Sequence, residues 1–374
     1  MRIGVPREVK NSEHRVGMTP VGVHELVQRG HELIVEHDAG LGSSFTDDDY
    51  RKAGATVVDD APEVWGSAEL VLKVKEPTPD EFGLLREDLT LFTYLHLAAD
   101  EPLVDALLDA GTTAIAYETV QLDSGQLPLL HPMSEVAGCL ATQAGASHLL
   151  KHRGGRGILL GGIGGVANSE VLVLGTGVAG QSATNIAVGL GANVTLLDTD
   201  LGKLRAALAR WGNRVTTLAS SEIAIRDQLA GADLVIGTVL IPGARAPKLV
   251  SDEMIAGMKS GSVLVDVAID QGGCFEPSRP TTHEDPTFRV HDSLLYCVTN
   301  MPAAVPHTST WALTNATLPY VNALAEHGWR GAMEADATLR RGLSTHAGTL
   351  TSVPVAESFG RESVPAEEVL GIEC

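Results

Sequence analysis

Short apolar runs alternate with amphipathic stretches along the whole chain. In the first half the runs fall at residues 2–5, 32–35, 68–74, 89–95 and 113–117, and in the second half at 171–174, 193–197, 234–237 and 263–269. Short runs that are apolar throughout predict strands buried on both faces. Helical stretches between them predict βαβ units and parallel sheets. The two halves share this scheme and not their sequence. Thr19 is placed to cap a helix whose first position is Pro20, where a missing N–H costs nothing. Residues 134–151, rich in Ala and Leu, predict a helix between the halves, with Ser134 as its cap and Glu135 at its positive end. Another alanine-rich helix is expected over residues 306–329, packing back on the first half.

A chain of 374 residues is long enough for two cores. The expected division is residues 1–130 with 306–374 as one discontinuous domain and 131–305 as the other. Composition changes the picture little: 44% hydrophobic and 20% charged residues describe a globular α/β protein. The formal charge of −20 excludes nucleic acid and anionic lipid as partners, since no run of Lys and Arg offers a local exception. No segment reaches the roughly 18 uninterrupted apolar residues of a membrane span. The start of the chain reads as a strand and not as a signal peptide. Cys139, Cys274, Cys297 and Cys374 lack the spacing of a zinc site or redox pair, so no metal is called for and a reducing cytoplasm is expected.

The most specific local signal is Gly175-Thr-Gly177-Val178-Ala-Gly180, which follows the run 171–174 and opens an alanine-rich helix. Gly175 permits a tight turn, Gly177 lets the backbone approach a pyrophosphate, and Gly180 allows close helix packing, with the helix N-terminus attracting the negative charge. The next strand ends in Asp198, roughly 20 residues on, where a carboxylate is expected to bind the adenosine ribose. That carboxylate would repel the extra phosphate of NADP and so favours NAD; Lys203 and Arg205 act against the bias and Asp200 for it. The fold class that follows is α/β, with two Rossmann-like domains built on parallel sheets and joined by long helices. The nearby Gly161-Gly162-Ile-Gly164-Gly165 lacks a P-loop ending and reads as a hairpin or turn.

Open α/β sheets bind ligands at the carboxyl ends of their strands. Lys75, His96 and Asp270 stand at such ends, and Arg15 lies in the loop after the first strand. Together they offer two cations for a carboxylate or carbonyl, an imidazole that titrates near neutrality, and an acid facing the cofactor.

Beyond these residues, the stretches Arg2-Ile-Gly-Val-Pro-Arg-Glu, Leu72-Lys-Val-Lys75-Glu-Pro, Tyr94-Leu-His96-Leu-Ala, Pro132-Met-Ser134-Glu, Val265-Asp-Val-Ala-Ile-Asp270-Gln-Gly-Gly and Asn300-Met-Pro-Ala resemble the alanine dehydrogenases over essentially the whole chain. The resemblance implies that Arg15 and Lys75 bind substrate and that His96 and Asp270 are the catalytic pair. It extends the NAD site to Ser134, Val178, Lys203, Ser220, Val239, Leu240, Val267, Ala268, Ile269, Asp270, Arg279, Val298, Thr299, Asn300 and Met301. It also implies a substrate domain beside a Rossmann domain, a homohexamer, and oxidation of L-alanine with NAD⁺ and water to pyruvate, ammonium and NADH. The alternatives are a nicotinamide-binding subunit of a proton-translocating transhydrogenase, an opine- or saccharopine-type dehydrogenase, and a cofactor sensor without turnover.

Overall fold

The structure is a computed structural model and describes residues 1–239 and 246–372. In chain order the strands are β1 Arg2–Val5, β2 Glu32–Glu36, β3 Thr56–Val58, β4 Leu70–Leu72, β5 Thr90–Thr93, β6 Thr113–Ala116, β7 Glu170–Leu174, β8 Asn193–Asp198, β9 Val215–Ala219, β10 Leu234–Gly237, β11 Val263–Asp266, β12 Thr287–Val290, β13 Ser293–Tyr296, β14 Leu343–His346 and β15 Thr349–Leu350. They form two sheets, in the orders β15-β14-β6-β5-β4-β1-β2-β3 and β12-β13-β11-β10-β7-β8-β9. The body of each is parallel. Antiparallel pairing is confined to one edge of each sheet, where β14 joins β6 and β15, and where β12 joins β13.

Each sheet sits in one compact unit, Met1–Met133 with Val305–Cys374 and Ser134–Ala304 respectively. Both parallel bodies run 3-2-1-4-5-6 when only their parallel strands are counted, so each sheet reverses its winding once: between β1 and β4 in the first, and between β7 and β10 in the second. Connections leave in opposite directions there and open a crevice at the carboxyl ends, which is where such sheets take ligands.

Strand patterning explains why both faces are covered. In β7, Val171 and Val173 belong to one buried cluster while Leu172 and Leu174 belong to another on the opposite face. Burying each such side chain contributes about 1.5–3 kcal/mol relative to leaving it exposed. Thr19 accepts from the Gly22 N–H at 3.3 Å and caps the helix Pro20–Gln28 as expected.

Some boundaries differ from the sequence reading. The helix expected from Ser134 begins at His131 and ends at His148, which places Ser134 inside the first turn and removes it as a cap. The helix Pro306–Ala335 outruns its expected end, but Gly328 interrupts it with φ 67° and ψ 169°, one residue before the expected stop. The run 263–269 is a strand only to Asp266; Asp270 lies in a separate 3-10 turn, Ile269–Gln271. Residues 161–165 form a turn, closed by the Val166 N–H on the Ile163 carbonyl at 2.8 Å, with no strand beside it.

Candidate active site

In the first unit, Lys75 and His96 each stand three residues beyond their strands, β4 and β5, while Arg15 follows β1 at the winding reversal. Arg15 is buried with 2% exposure, and Glu13 grips its guanidinium at two points, Nε to Oε1 at 2.7 Å and Nη2 to Oε2 at 2.5 Å. Its Nη1 also reaches the Met133 sulfur at 3.2 Å. Burial works against the Arg15 charge, but the Glu13 contacts outweigh it and hold the group above its usual pKa. Arg15 lines a cavity of about 500 Å³ with Glu8, Glu13, Lys10 and Asp38.

Lys75 is half-buried, and its backbone is held on both sides: its N–H donates to Glu8 Oε1 at 3.2 Å and its carbonyl accepts from the Thr93 hydroxyl at 3.0 Å. His96 turns the chain in the left-handed region at φ 50°, with its N–H donated to Glu118 Oε1 at 2.6 Å. Its exposed ring stacks on Tyr94 at 5.9 Å between centroids and 10° between planes. Two observations draw these residues together. Burial pushes the Glu76 carboxyl up, but Lys75, Lys10 and His96 outweigh burial and leave it below the usual carboxylate range. The Tyr94 phenol, raised by burial, lies within the field of Arg15.

In the second unit, the glycine loop joins β7 to the helix Val178–Gly189. Gly175 has φ 97°, which favours glycine, and a Cβ on Gly180 would run into the Gly175 carbonyl oxygen. Gly177 is the cap of that helix; it supplies no side-chain bond to the N-terminal N–H groups, and a Cβ there would meet nothing within 4 Å. Open space over unsatisfied N–H groups at a helix N-terminus suits a pyrophosphate, so the loop fits a dinucleotide. Asp198 ends β8. Its Oδ2 takes the Thr176 N–H and hydroxyl and its Oδ1 takes the Asp200 N–H, which leaves about one of a carboxylate's four lone-pair sites for a ribose hydroxyl. Burial raises the Asp198 pKa, but the Thr176 and Asp200 bonds and the Lys203 charge outweigh it, so the group stays below its usual value.

The remaining expected cofactor positions gather at the same edge of the sheet. Ser220 follows β9 and donates its N–H to the Asp198 carbonyl at 2.9 Å. Val239 follows β10 beside Gly175, whose Cβ would lie 3.1 Å from Val239 Cγ2. Val267, Ala268, Ile269 and the exposed Asp270 follow β11; Val298, Thr299, Asn300 and Met301 follow β13. Ser134 lies one turn before Gly138, where a Cβ would strike the Ala179 carbonyl beside the glycine loop. Arg279 is exposed, with its guanidinium 4.2 Å over the Phe288 ring. Leu240 lies outside the described residues. Arg15, Lys75 and His96 therefore share one unit, and Asp270 belongs to the other with the glycine loop.

Sequence reasoning missed the acids that hold these groups, Glu8, Glu13, Glu118 and Asp266, along with Thr176 and Tyr94. Tyr94 carried a signal, because two residues before His96 on an extended segment it shares the same side. These acids carried none: a Glu in a loop reads as solvated, and Asp266 reads as part of the strand 263–269.

A glycine loop at the winding reversal of a 3-2-1-4-5-6 sheet, with an acid at the next strand end, defines the Rossmann-like nucleotide-binding class. Profiles described as the N-terminal and C-terminal domains of alanine dehydrogenase/PNT match residues 4–137 and 141–353. The chain is 55% identical over 370 residues to the alanine dehydrogenase of Mycolicibacterium smegmatis, covering 99% of this chain and 100% of that one. It is 58% identical over 360 residues to that of Mycobacterium tuberculosis strain H37Rv, covering 96% and 97%. A solved L-alanine dehydrogenase superposes with a TM-score of 0.94 at 49% identity over 96% of this chain and 99% of that one. A transhydrogenase from Sinorhizobium meliloti gives 0.81 at 25% identity over 94% and 99%. The chain belongs to the alanine dehydrogenase/PNT family.

Proposed function

We propose that this protein catalyses the reversible oxidation of L-alanine, with water and NAD⁺, to pyruvate, ammonium and NADH. The observation that carries this reading is the near-complete match to alanine dehydrogenases combined with a gathered set of Arg15, Lys75 and His96 at strand ends. Arg15, kept cationic by Glu13, clamps the substrate carboxylate. Lys75 places positive charge where negative charge develops on the carbonyl or carbinolamine oxygen. His96 accepts and returns protons from the nitrogen and the incoming water. Asp270 orients the water or the nitrogen.

NAD, when bound, supplies the two-electron acceptor. Gly175, Gly177 and Gly180 hold its pyrophosphate and Asp198 its ribose, which favours NAD over NADP. The protein is read as cytoplasmic, since three free cysteines among the described residues suit a reducing compartment, and as a homohexamer on the family resemblance alone; no described helix is long and apolar enough to cross a membrane. The test is to incubate purified protein with L-alanine and NAD⁺ and follow absorbance of the reduced nicotinamide. Its accumulation supports the reading; cofactor binding with no turnover on L-alanine sinks it.

A further inference from the structure

We propose that Asp266 is a positioning residue for this reaction, fixing Asp270 through the turn between them; the inference rests on the reading of Asp270 as a catalytic residue. Asp266 ends β11, its residue is 0% exposed, and it makes no ion pair with any described residue. Its carboxyl group is met by hydrogen bonds alone, and burial outweighs them to hold the group above its usual pKa. Oδ1 accepts the Ala268 N–H at 3.1 Å. Oδ2 accepts the Cys274 N–H at 2.8 Å, the Phe275 N–H at 3.3 Å and the Ser278 hydroxyl at 2.5 Å.

These donors come from both sides of Asp270. Ala268 precedes it and the other three follow it, so one carboxylate closes the segment 267–278 on itself. The turn within is tight: Gln271 N–H meets the Ala268 carbonyl at 2.9 Å, and Gly272 N–H meets the Ile269 carbonyl at 2.9 Å. Gly273 has φ 77°, and a Cβ there would lie 2.5 Å from Asp266 Oδ2, so the loop is built around that oxygen. Asp270 stands at the tip, exposed, and its carboxylate accepts no hydrogen bond from any described residue. Its place is therefore set by the turn, and the turn by Asp266. Catalytic groups must be held to within about 0.5 Å of the productive geometry, and rigid supporting bonds are what provide it.

Asp266→Asn keeps the shape and removes the fit. An amide offers oxygen to one side only, so either the Ala268 N–H or the three donors opposite would face an NH₂ group. The experiment compares Asp266→Asn, Asp270→Asn and the double variant by turnover in both directions, NADH titration and thermal melting. We expect folded Asp266→Asn to lose about 10- to 100-fold in kcat, part of what an acid/base group supplies, with a smaller change in NADH affinity. Added to Asp270→Asn, the same change should cost less than about threefold, because residues acting as a unit are non-additive. Near wild-type kcat in Asp266→Asn, or an equal loss in both backgrounds, overturns the proposal alone. Wild-type kcat in Asp270→Asn refutes the reading of Asp270 and the proposal with it. Should Asp266→Asn fail to fold, Ser278→Ala carries the test: turnover reduced in wild type and unaffected in the Asp270→Asn background supports the positioning role, and unchanged turnover in wild type overturns it.

Discussion

Asp198 Oδ2 accepts both hydrogen bonds that Thr176 can donate, from the N–H and from the hydroxyl, each at 2.7 Å. The acid that ends β8 thus anchors the glycine loop that follows β7, and a residue expected only to meet the ribose also shapes that loop. Asp198→Gly is therefore expected to do two things. It should weaken NAD⁺ and relax the bias against NADP⁺, and it should lower stability by about 1–3 kcal/mol, because the fully buried Thr176 loses its acceptor. The folded pKa of Asp198 is depressed, so its contribution is present above the unfolded value of about 3.9 and is lost as pH falls through the folded value. Cofactor titrations and urea unfolding check both effects; unchanged affinity for both cofactors would remove Asp198 from the ribose.

Beneath Lys75 lies a buried ionic cluster. The Lys73 ammonium, 0% exposed, sits 2.7 Å from Glu81 Oε1 and 3.4 Å from Glu8 Oε2. Burial opposes its charge, but Glu8 and Glu81 outweigh burial and raise its pKa, whereas burial raises that of Glu8. Lys73→Met leaves two buried carboxylates without their cation and should cost about 3–5 kcal/mol at neutral pH. Those carboxylates can take up protons, so the deficit should shrink on acidification. Urea unfolding of both proteins at pH 8 and pH 5 measures it, and an equal deficit at the two values would show that the cluster is not charged as described.

The parts legible in the sequence are those whose signal is local. Nine strands of the two parallel bodies announce themselves as apolar runs, and the glycine loop as a strand, three spaced glycines and a helix. Edge strands escaped notice for a physical reason: β3, β9 and β12 are only partly buried, so neither an apolar run nor clean alternation marks them; β13 is buried throughout, but only Leu294–Tyr296 of it are apolar. The turn carrying Asp270 escaped because Val267, Ala268 and Ile269 look like continuing strand. What ends it is the Asp266 carboxylate, which captures the Ala268 N–H at 3.1 Å. Glu8 and Glu118 were hidden likewise, as each acts on groups brought near only by folding; Glu13 lies two residues from Arg15, but nothing local marks the pair as buried.

The surface histidine His37 should titrate high. Its Nδ1 lies 2.5 Å from Asp47 Oδ2 and its Nε2 3.2 Å from Asp38 Oδ2, so the Asp47 bond, then the Asp38 charge, favour the imidazolium. His148 should titrate low, because burial disfavours its charge more than the Ala144 carbonyl supports it. The signs differ accordingly. The His37 contribution is fully present below its unfolded value of about 6.5 and is lost as pH rises through the folded value. That of His148 is present above about 6.5 and lost as pH falls through its folded value. Imidazole NMR titration measures both, and coincident midpoints would contradict the assignment.

His96→Ala should abolish turnover while sparing both the fold and NADH binding. The side chain is exposed and its ring rests on Tyr94, so its loss opens no cavity in the core. The glycine loop and Asp198 lie in the other compact unit and keep their bonds. Removing the imidazole takes away a proton acceptor and donor, and such groups contribute about 10²- to 10⁴-fold. One complication arises from the backbone. At φ 50° His96 occupies the left-handed region, where His and Asn are tolerated better than most residues, so Ala adds strain that has nothing to do with protons. His96→Asn separates the two effects, since Asn accepts this conformation and cannot shuttle a proton near neutral pH. Both variants should lose turnover alike, and Asn should melt at the higher temperature. Steady-state rates, NADH titration and thermal melting on the pair decide the matter: turnover retained in folded His96→Asn would show that the residue serves the bend in the chain and not the chemistry.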